Sequence, residues 1–325
     1  MNFRKFLSVS AMALCMGVTA VAQSLSPSTK WHWDKGTMVI ETPARPAGQK
    51  HVLGLTAPKM ETLRVAFVGL GMRGDGAVVR FCRIPGVEIV ALCDYEYGRA
   101  EECQRFLREQ GLKPADIYSG EKGYEELCKR PDIDLVYIAT DWNHHYPVAK
   151  CAMENGKHAA VEVPSVMNLE QCWSLIDLSE KTRLHCFILE NCCYDEYEMN
   201  ALAMAQDGVF GEVIRAEGAY IHALDAFWKS YWKDPNDNDK DNDKENDNDK
   251  DNLHWRLKYN KENRGDLYAT HGLGPVAQCM DIHRGDRFTT LVAMDTESFF
   301  GKDWVGKTTG KECKEFRNGD HTTTL

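Results

Sequence analysis

The stretch at residues 63–76, L-R-V-A-F-V-G-L-G-M-R-G-D-G, constrains the fold more than any other part of the chain. An apolar run over 65–68 ends in Gly69, Gly71 and Gly74, a G-x-G-x-x-G pattern. It reads as a buried strand, a tight turn and the start of a helix. Gly69 permits the turn, Gly71 lets a pyrophosphate approach the backbone, and Gly74 lets helix and strand pack closely. The helix start offers free N–H groups and a partial positive charge to phosphates. A second apolar run, 87–93, ends in Asp94, about 20 residues past the glycines, where an acid can accept from a ribose 2′-hydroxyl. A carboxylate there repels a 2′-phosphate, so the pattern favours NAD over NADP. The plainer alternative is a glycine loop that only turns the chain.

From Thr62 onward, strand-like and helix-like segments alternate. Helices are expected at 99–110, 123–129, 146–155 and 168–182, and strands at 117–118, 134–140, 158–163 and 185–190. Repeated βα units imply an α/β Rossmann domain, a doubly wound parallel sheet. Ligands on such sheets sit beyond the carboxyl ends of the strands. That rule singles out the tips at 69–73, Asp94, 141–145 and 162–164.

After Asn191 the pattern changes to an α+β domain. A helix is expected at 194–207, and strands of an open mixed sheet at 212–220 and 288–296. The chain ends at T-T-T-L in a strand-like stretch, so this sheet is expected to be incomplete at the C-terminus. The expected layout is a signal peptide at 1–22, an arm at 23–61, an NAD-binding domain at 62–192 and a partial substrate domain at 193–325. Trp31 and Trp33, in the arm, are expected to pack on the body of the protein.

Composition narrows the function classes. Of the net charge of −10, residues 234–251 contribute −6, from nine acids and three lysines. This Asp/Asn/Lys segment, 234–252, cannot bury enough apolar area to order itself and reads as a disordered insertion. It lacks the glycine and terminal glutamate of an EF-hand. The remainder is mildly acidic, and no basic patch suggests nucleic acid. Arg4 and Lys5 precede an apolar core, and Ala20-Val21-Ala22 fits a cleavage site before Gln23. That core is too short to span a membrane. Export, to a bacterial periplasm, is expected, with a lipoprotein anchored at Cys15 the lesser reading. Removing the signal leaves eleven of the twelve cysteines, scattered through apolar segments. Neither a disulfide framework nor a metal site is expected, because Cys192-Cys193 has no zinc-type spacing.

G-L-G-M-R-G, the D-W-N-H-H tip and the E-V-P tip together resemble the Gfo/Idh/MocA oxidoreductases. That family carries E-K-P at the end of its fifth strand, with a catalytic lysine, where this chain has Glu162-Val163-Pro164. Valine cannot relay a proton. W-N-H-H, E-V-P, I-L-E-N-C-C-Y, E-G-A-Y-I-H, H-W-R-L-K-Y-N and G-D-L-Y-A-T-H-G-L-G-P-V-A-Q resemble glycoside hydrolase family 109, NAD-dependent α-N-acetylgalactosaminidases. The resemblance runs from about Lys30 to Leu325. The 234–252 segment looks longer than the family usually carries. The family's chain also continues beyond this one, with a further substrate-contacting tyrosine.

The resemblance implies a cycle of oxidation, elimination, addition and reduction on a glycan ending in N-acetylgalactosamine. Hydride passes from the sugar C3 to NAD, a base takes the C2 proton, the aglycone leaves C1, water adds, and hydride returns. It implies catalytic roles for Tyr220, Tyr268, His271 and Glu190. Substrate contacts fall on Tyr220, Arg256, Tyr268, Ala269, Thr270 and His271. Cofactor contacts fall on Gly69, Gly71, Met72, Arg73, Gly74, Asp94, Trp142, Asn143, His144, His145, Glu162, Val163 and Asn191. Histidine titrates near neutrality and suits a proton shuttle. Each residue also has a structural reading: Tyr220 half-buried in a strand, Tyr268 and His271 at a helix start, Arg256 on the surface, Glu190 paired with any cation. A sugar dehydrogenase, or a non-catalytic remnant that binds NAD, are the alternatives. A homo-oligomer that covers an apolar face stays open.

Overall fold

The computed structural model describes residues 30–222, 255–310, 312–314 and 316–324. The expected signal peptide and the expected insertion at 234–252 lie outside the described residues. The chain divides into two compact units, 1–189 and 190–325.

The N-terminal unit opens with a hairpin, β1 (Trp31–Asp34) paired antiparallel with β2 (Thr37–Ile40). Lys35 and Gly36 make its turn at φ of 47° and 85°, the positive pair that a two-residue hairpin loop needs. The arm is therefore folded locally rather than simply extended. Trp31 and Trp33, two residues apart on one face, meet edge to face at 6.4 Å. Trp33 stays exposed instead of packing on the body of the unit.

The sheet has six parallel strands in the order β5-β4-β3-β6-β7-β8. They are β3 (Leu63–Val68), β4 (Val87–Asp94), β5 (Asp116–Ser119), β6 (Leu135–Ile138), β7 (His158–Val161) and β8 (Cys186–Ile188). Its crossover helices are α1 (Met72–Phe81), α2 (Tyr97–Glu109), α3 (Gly123–Cys128), α4 (Trp142–Glu154) and α5 (Leu169–Thr182). The strand order reverses about β3, as in a dinucleotide-binding sheet with its switch point between β3 and β6. Side chains alternate across the pleat. Val65 and Phe67 pack with Ala77, Leu92 and Leu107 on one face, while Ala66 and Val68 pack with Val136, Val148 and Ala152 on the other. Both faces are covered, which is why these strands read as continuous apolar runs. Asp141 and Asn168 cap α4 and α5, accepting the N–H of Asn143 and Gln171, each at 2.9 Å.

The C-terminal unit holds a 3-10 turn (Asn191–Tyr194), α6 (Glu196–Gln206), α7 (Trp255–Glu262), α8 (Ala269–Cys279) and α9 (Phe300–Thr309). Its sheet, among the described residues, is the antiparallel pair β9 (Ala293–Asp295) and β10 (Thr322–Thr324). The strand expected at 288–296 shortens to β9. The one expected at 212–220 joins no ladder: its backbone packs on a helix instead, as described below. Leu257, Trp304, Val305 and Phe316 form a small buried cluster. Among the described residues, no helix is long and apolar enough to cross a membrane.

Candidate active site

In the N-terminal unit the strand tips build a cradle. Gly69 sits at φ +88°, and a Cβ there would lie 2.5 Å from the Ala139 carbonyl. A Cβ on Gly74 would lie 1.9 Å from the Gly69 oxygen. Both positions therefore require glycine, because helix α1 and the tip of β6 close directly on the turn. Gly71 is the N-cap of α1 and supplies no side-chain cap, so the first N–H groups of the helix face the tip of the sheet uncapped. Space beside Gly71 is open up to the Arg99 guanidinium at 3.5 Å.

Asp94, at the end of β4, is buried. Its carboxylate accepts the Leu70 N–H at 2.6 Å and the Glu96 N–H at 2.9 Å, and Arg99 stands 3.9 Å away. The acid thus orients the glycine turn itself while each oxygen keeps a lone pair for a hydroxyl. At the next tip, Glu162 accepts from Arg73 Nε at 2.9 Å and from the Tyr137 hydroxyl at 2.7 Å. Burial, and then the Glu162 contact, push the Tyr137 phenol well up from its ordinary value. The E-V-P tip is in this way tied to the glycine turn.

The W-N-H-H residues divide. Asn143 is exposed and His144 half-buried, with His144 hydrogen-bonded to Asp141. Burial raises the Asp141 carboxyl, but the His144 contact and the Asn143 N–H outweigh it and hold it below its ordinary value. Trp142 and His145 are only 2% and 1% exposed. His145 lies between the carbonyls of Pro164, at 2.6 Å, and Thr140, at 3.0 Å. Burial depresses its basicity. Of these two side chains, both expected at the cofactor, His145 instead links the β6 and β7 tips from within, and Trp142 is buried near it in the chain. Val163 is buried too, whereas Met72 and Arg73 are exposed at the turn. The cradle fits a dinucleotide: glycine backbone where a Cβ would collide, an uncapped helix start, and an acid at the second strand.

The C-terminal unit assembles a second cluster. Glu190 is 4% exposed and precedes the 3-10 turn. His271 Nδ1 lies 2.6 Å from Glu190 Oε1, which also accepts the Cys192 N–H at 3.0 Å. Burial pushes the Glu190 carboxyl up. The hydrogen bond from His271, the nearby Thr270 hydroxyl and the Cys192 N–H overcome that and leave it below its ordinary value. The neighbouring Cys192 thiol is pushed up to about 11 by burial and by that charge.

Aromatic rings wrap the dyad. Tyr220 lies 4.8 Å from His271 and 5.3 Å from Tyr268, centroid to centroid. Tyr268 runs nearly parallel to His271 at 5.5 Å, and the Arg256 guanidinium stands 5.8 Å from the Tyr268 ring. Tyr268 is the N-cap of α8, with Ala269 and Thr270 in its first turn. The structure thus brings together Tyr220, Tyr268, His271, Glu190, Thr270 and Arg256. Asn191 is exposed beside Cys192.

Glycines set these distances. A Cβ on Gly218 would lie 2.3 Å from the Gly272 oxygen, and one on Gly272 2.9 Å from the Gly218 carbonyl carbon. The chain before Tyr220 therefore crosses α8 backbone to backbone, one residue past His271. Gly274 does the same for the 3-10 turn: its Cβ would lie 2.8 Å from Cys193 Sγ and 3.1 Å from Glu190 Cγ. Sequence reading missed Gly218, Gly272 and Gly274, and also Arg99 and Cys192. The signal for the glycines was present in T-H-G-L-G-P, two glycines inside an otherwise helical run.

The fold and cradle define an NAD-binding Rossmann protein: residues 63–189 match the family model for the Gfo/Idh/MocA group, described as oxidoreductase family, NAD-binding Rossmann fold. Its cofactor is NAD. Residues 194–325 match the model described as glycosyl hydrolase 109, C-terminal domain, so the two domains of the chain are those of the Gfo/Idh/MocA group and of glycoside hydrolase family 109. It is 77% identical over its whole length to glycosyl hydrolase family 109 protein 3 of Phocaeicola vulgatus, covering 57% of that protein. It is 68% identical to protein 5 of the same organism over 97% of this chain, covering 58% of that one. The chain thus spans a little over half the length of these curated relatives. A solved structure of a candidate myo-inositol dehydrogenase from Sinorhizobium meliloti 1021 shares the fold, with a TM-score of 0.54 at 15% identity, over 81% of this chain and 64% of that one.

Proposed function

We propose that the chain carries the cofactor-binding and proton-transfer machinery of an exported glycosidase that removes terminal α-linked N-acetylgalactosamine. The observation that carries the reading is the Glu190–His271 dyad ringed by Tyr220 and Tyr268. NAD supplies reversible hydride transfer at the sugar C3.

The residues do the rest. Glu190 stays ionised and takes the Nδ1 proton of His271 as a hydrogen bond, which fixes the tautomer. The lone pair is left on Nε2, where it acts as the base for the C2 proton, made acidic by the C3 ketone. Tyr220 and Tyr268 hold and return protons at the C3 oxygen and the leaving oxygen. Arg256 brings positive charge to Tyr268. Val163 stands where a dehydrogenase of the wider group carries its lysine, and its buried side chain moves no proton. This supports a cycle that returns its hydride over one that releases NADH. The basic start and apolar core of residues 4–22 support export to a periplasm.

The test follows two signals from the purified 325-residue chain: aglycone release from a chromogenic α-N-acetylgalactosaminide, and NADH absorbance. Release without net NADH is expected. NADH accumulating without release makes the chain a sugar dehydrogenase. Neither signal, from folded chain that binds NAD, overturns the activity for this length of sequence.

A further inference from the structure

Cys192 has no part in the chemistry above, yet it sits at its centre. The 3-10 turn brings its thiol back beside the carboxylate that orients His271. One donor atom from each of Glu190, Cys192 and His271 lies within 4.8 Å of the others, and among the described residues no other such trio is this close. A carboxylate oxygen, a sulfur and an imidazole nitrogen are a zinc-type donor set. Bonds of about 2.0–2.3 Å at tetrahedral angles place such donors roughly 3.3–3.7 Å apart. The Glu190–His271 pair, at 2.6 Å, opens by about 1 Å to admit the ion, and the sulfur, within 4.8 Å of both partners, closes by about 1 Å at most.

We propose that Glu190, Cys192 and His271 bind one thiophilic divalent cation, Zn²⁺, and that the ion switches the dyad off. The charges balance: carboxylate and thiolate together neutralise the ion, so the half-buried site goes from −1 without the ion to neutral with it. The protons balance as well. Cys192 releases its thiol proton to buffer as the Zn–S bond forms. The His271 proton leaves Nδ1, which now binds zinc, and moves to Nε2 through solvent. The Nε2 lone pair, the base of the proposed reaction, is then occupied. Binding stands on the geometry alone, and inhibition rests on the glycosidase reading.

The experiment uses the full 325-residue chain after EDTA treatment. Added Co²⁺ is expected to give a near-ultraviolet thiolate-to-cobalt band, which one equivalent of Zn²⁺ removes. Zn²⁺ is also expected to shield Cys192 from alkylation in the native chain, read by peptide mass spectrometry. In Cys192→Ser the band disappears and Zn²⁺ affinity, measured against a chromophoric chelator, falls by about 100-fold or more. Aglycone release by the parent chain is blocked by Zn²⁺ and restored by EDTA, whereas the Cys192→Ser chain resists the ion. Absence of a thiolate band, or Cys192 alkylated equally with and without Zn²⁺, overturns the site. A thiolate band with no aglycone release at any zinc level keeps the site and rejects the glycosidase reading for this chain. Cobalt held by the acidic run at 234–251 gives no thiolate band and is told apart by that.

Discussion

The N-terminal unit buries Val65, Phe67, Leu92, Val136 and Ile138 essentially completely, between a parallel sheet and helices on both faces. The described residues of the C-terminal unit instead gather a four-residue cluster, Leu257, Trp304, Val305 and Phe316, and leave Ile214 and Ile221 each 89% exposed. The cradle at the sheet tips is consequently continuous with that core, because Gly69 and Gly74 press directly on the ends of its strands. The dyad in the other unit is held by what touches it: one backbone crossing at Gly218 and Gly272, Gly274 against the Cys193 and Glu190 side chains, the two tyrosine rings against His271, and one charged hydrogen bond. A small change beside the dyad should therefore cost function before it costs fold, and a change in the cradle should cost both together.

The largest effect should come from Gly74→Ala. Its Cβ would stand 1.9 Å from the Gly69 oxygen, and Gly69 is itself pressed against the Ala139 carbonyl. Neither backbone can yield, so the cost should reach about 3 kcal/mol, the upper end for overpacking. Loss of NAD binding and a lowered melting temperature should appear together. A variant that keeps both at parental levels breaks the claim that core and cradle are one structure.

Glu190→Gln should separate function from fold. The amide keeps the shape but loses the charge that fixes the His271 tautomer, so aglycone release should fall about 100-fold. NAD affinity, measured by titration, should not move, because the cradle belongs to the other unit. Equal loss of both would show that Glu190 supports folding rather than proton transfer.

Gly272→Ala tests the backbone crossing more gently. Alanine favours a helix over glycine by about 1 kcal/mol. Its Cβ would nevertheless come within 2.9 Å of the Gly218 carbonyl carbon. The clash should win by about 1 kcal/mol and push Tyr220 off His271, lowering turnover by about tenfold. A stabilised variant with full turnover would mean that the 212–222 segment is free to shift.

The same contrast governs what was legible from sequence. The Rossmann order could be read from apolar runs because strands buried on both faces are apolar at every position, and the glycine turn and Asp94 follow at fixed spacing. The tips could be placed for the same reason. The role of His145 could not, since W-N-H-H does not say which ring turns inward between the Thr140 and Pro164 carbonyls. In the C-terminal unit, Tyr220 looked like a strand residue because residues 212–220 alternate suitably. What holds that segment is a crossing at Gly218 and Gly272, a contact between distant parts of the chain that no local period encodes. Cys192 could not be read as a ligand because the donors beside it, Glu190 two residues before and His271 far downstream, form no zinc-type spacing.

The smallest expected effect probes the stronger unit far from its cradle. Asp134, just before β6, accepts from the Arg64 side chain at 2.6 and 2.9 Å and from the Arg64 N–H at 2.8 Å. The Arg64 hydrogen bond outweighs burial and holds the Asp134 carboxyl below its ordinary value. A carboxyl depressed by folding adds stability above its unfolded value, and that stability fades as pH falls through the folded one. Asp134→Asn should therefore cost about 1 kcal/mol at neutral pH, modest because Arg64 is partly exposed and screened. The difference between parent and variant should shrink below about pH 4 and vanish once the parent carboxyl is protonated. Melting curves at neutral and acid pH check this, and NAD affinity should stay unchanged. A penalty as large in acid as at neutrality would assign Asp134 a packing role. A penalty confined to neutral pH leaves Asp132, Asp141 and Glu190, the other depressed carboxylates among the described residues, as acid-sensitive groups of the variant.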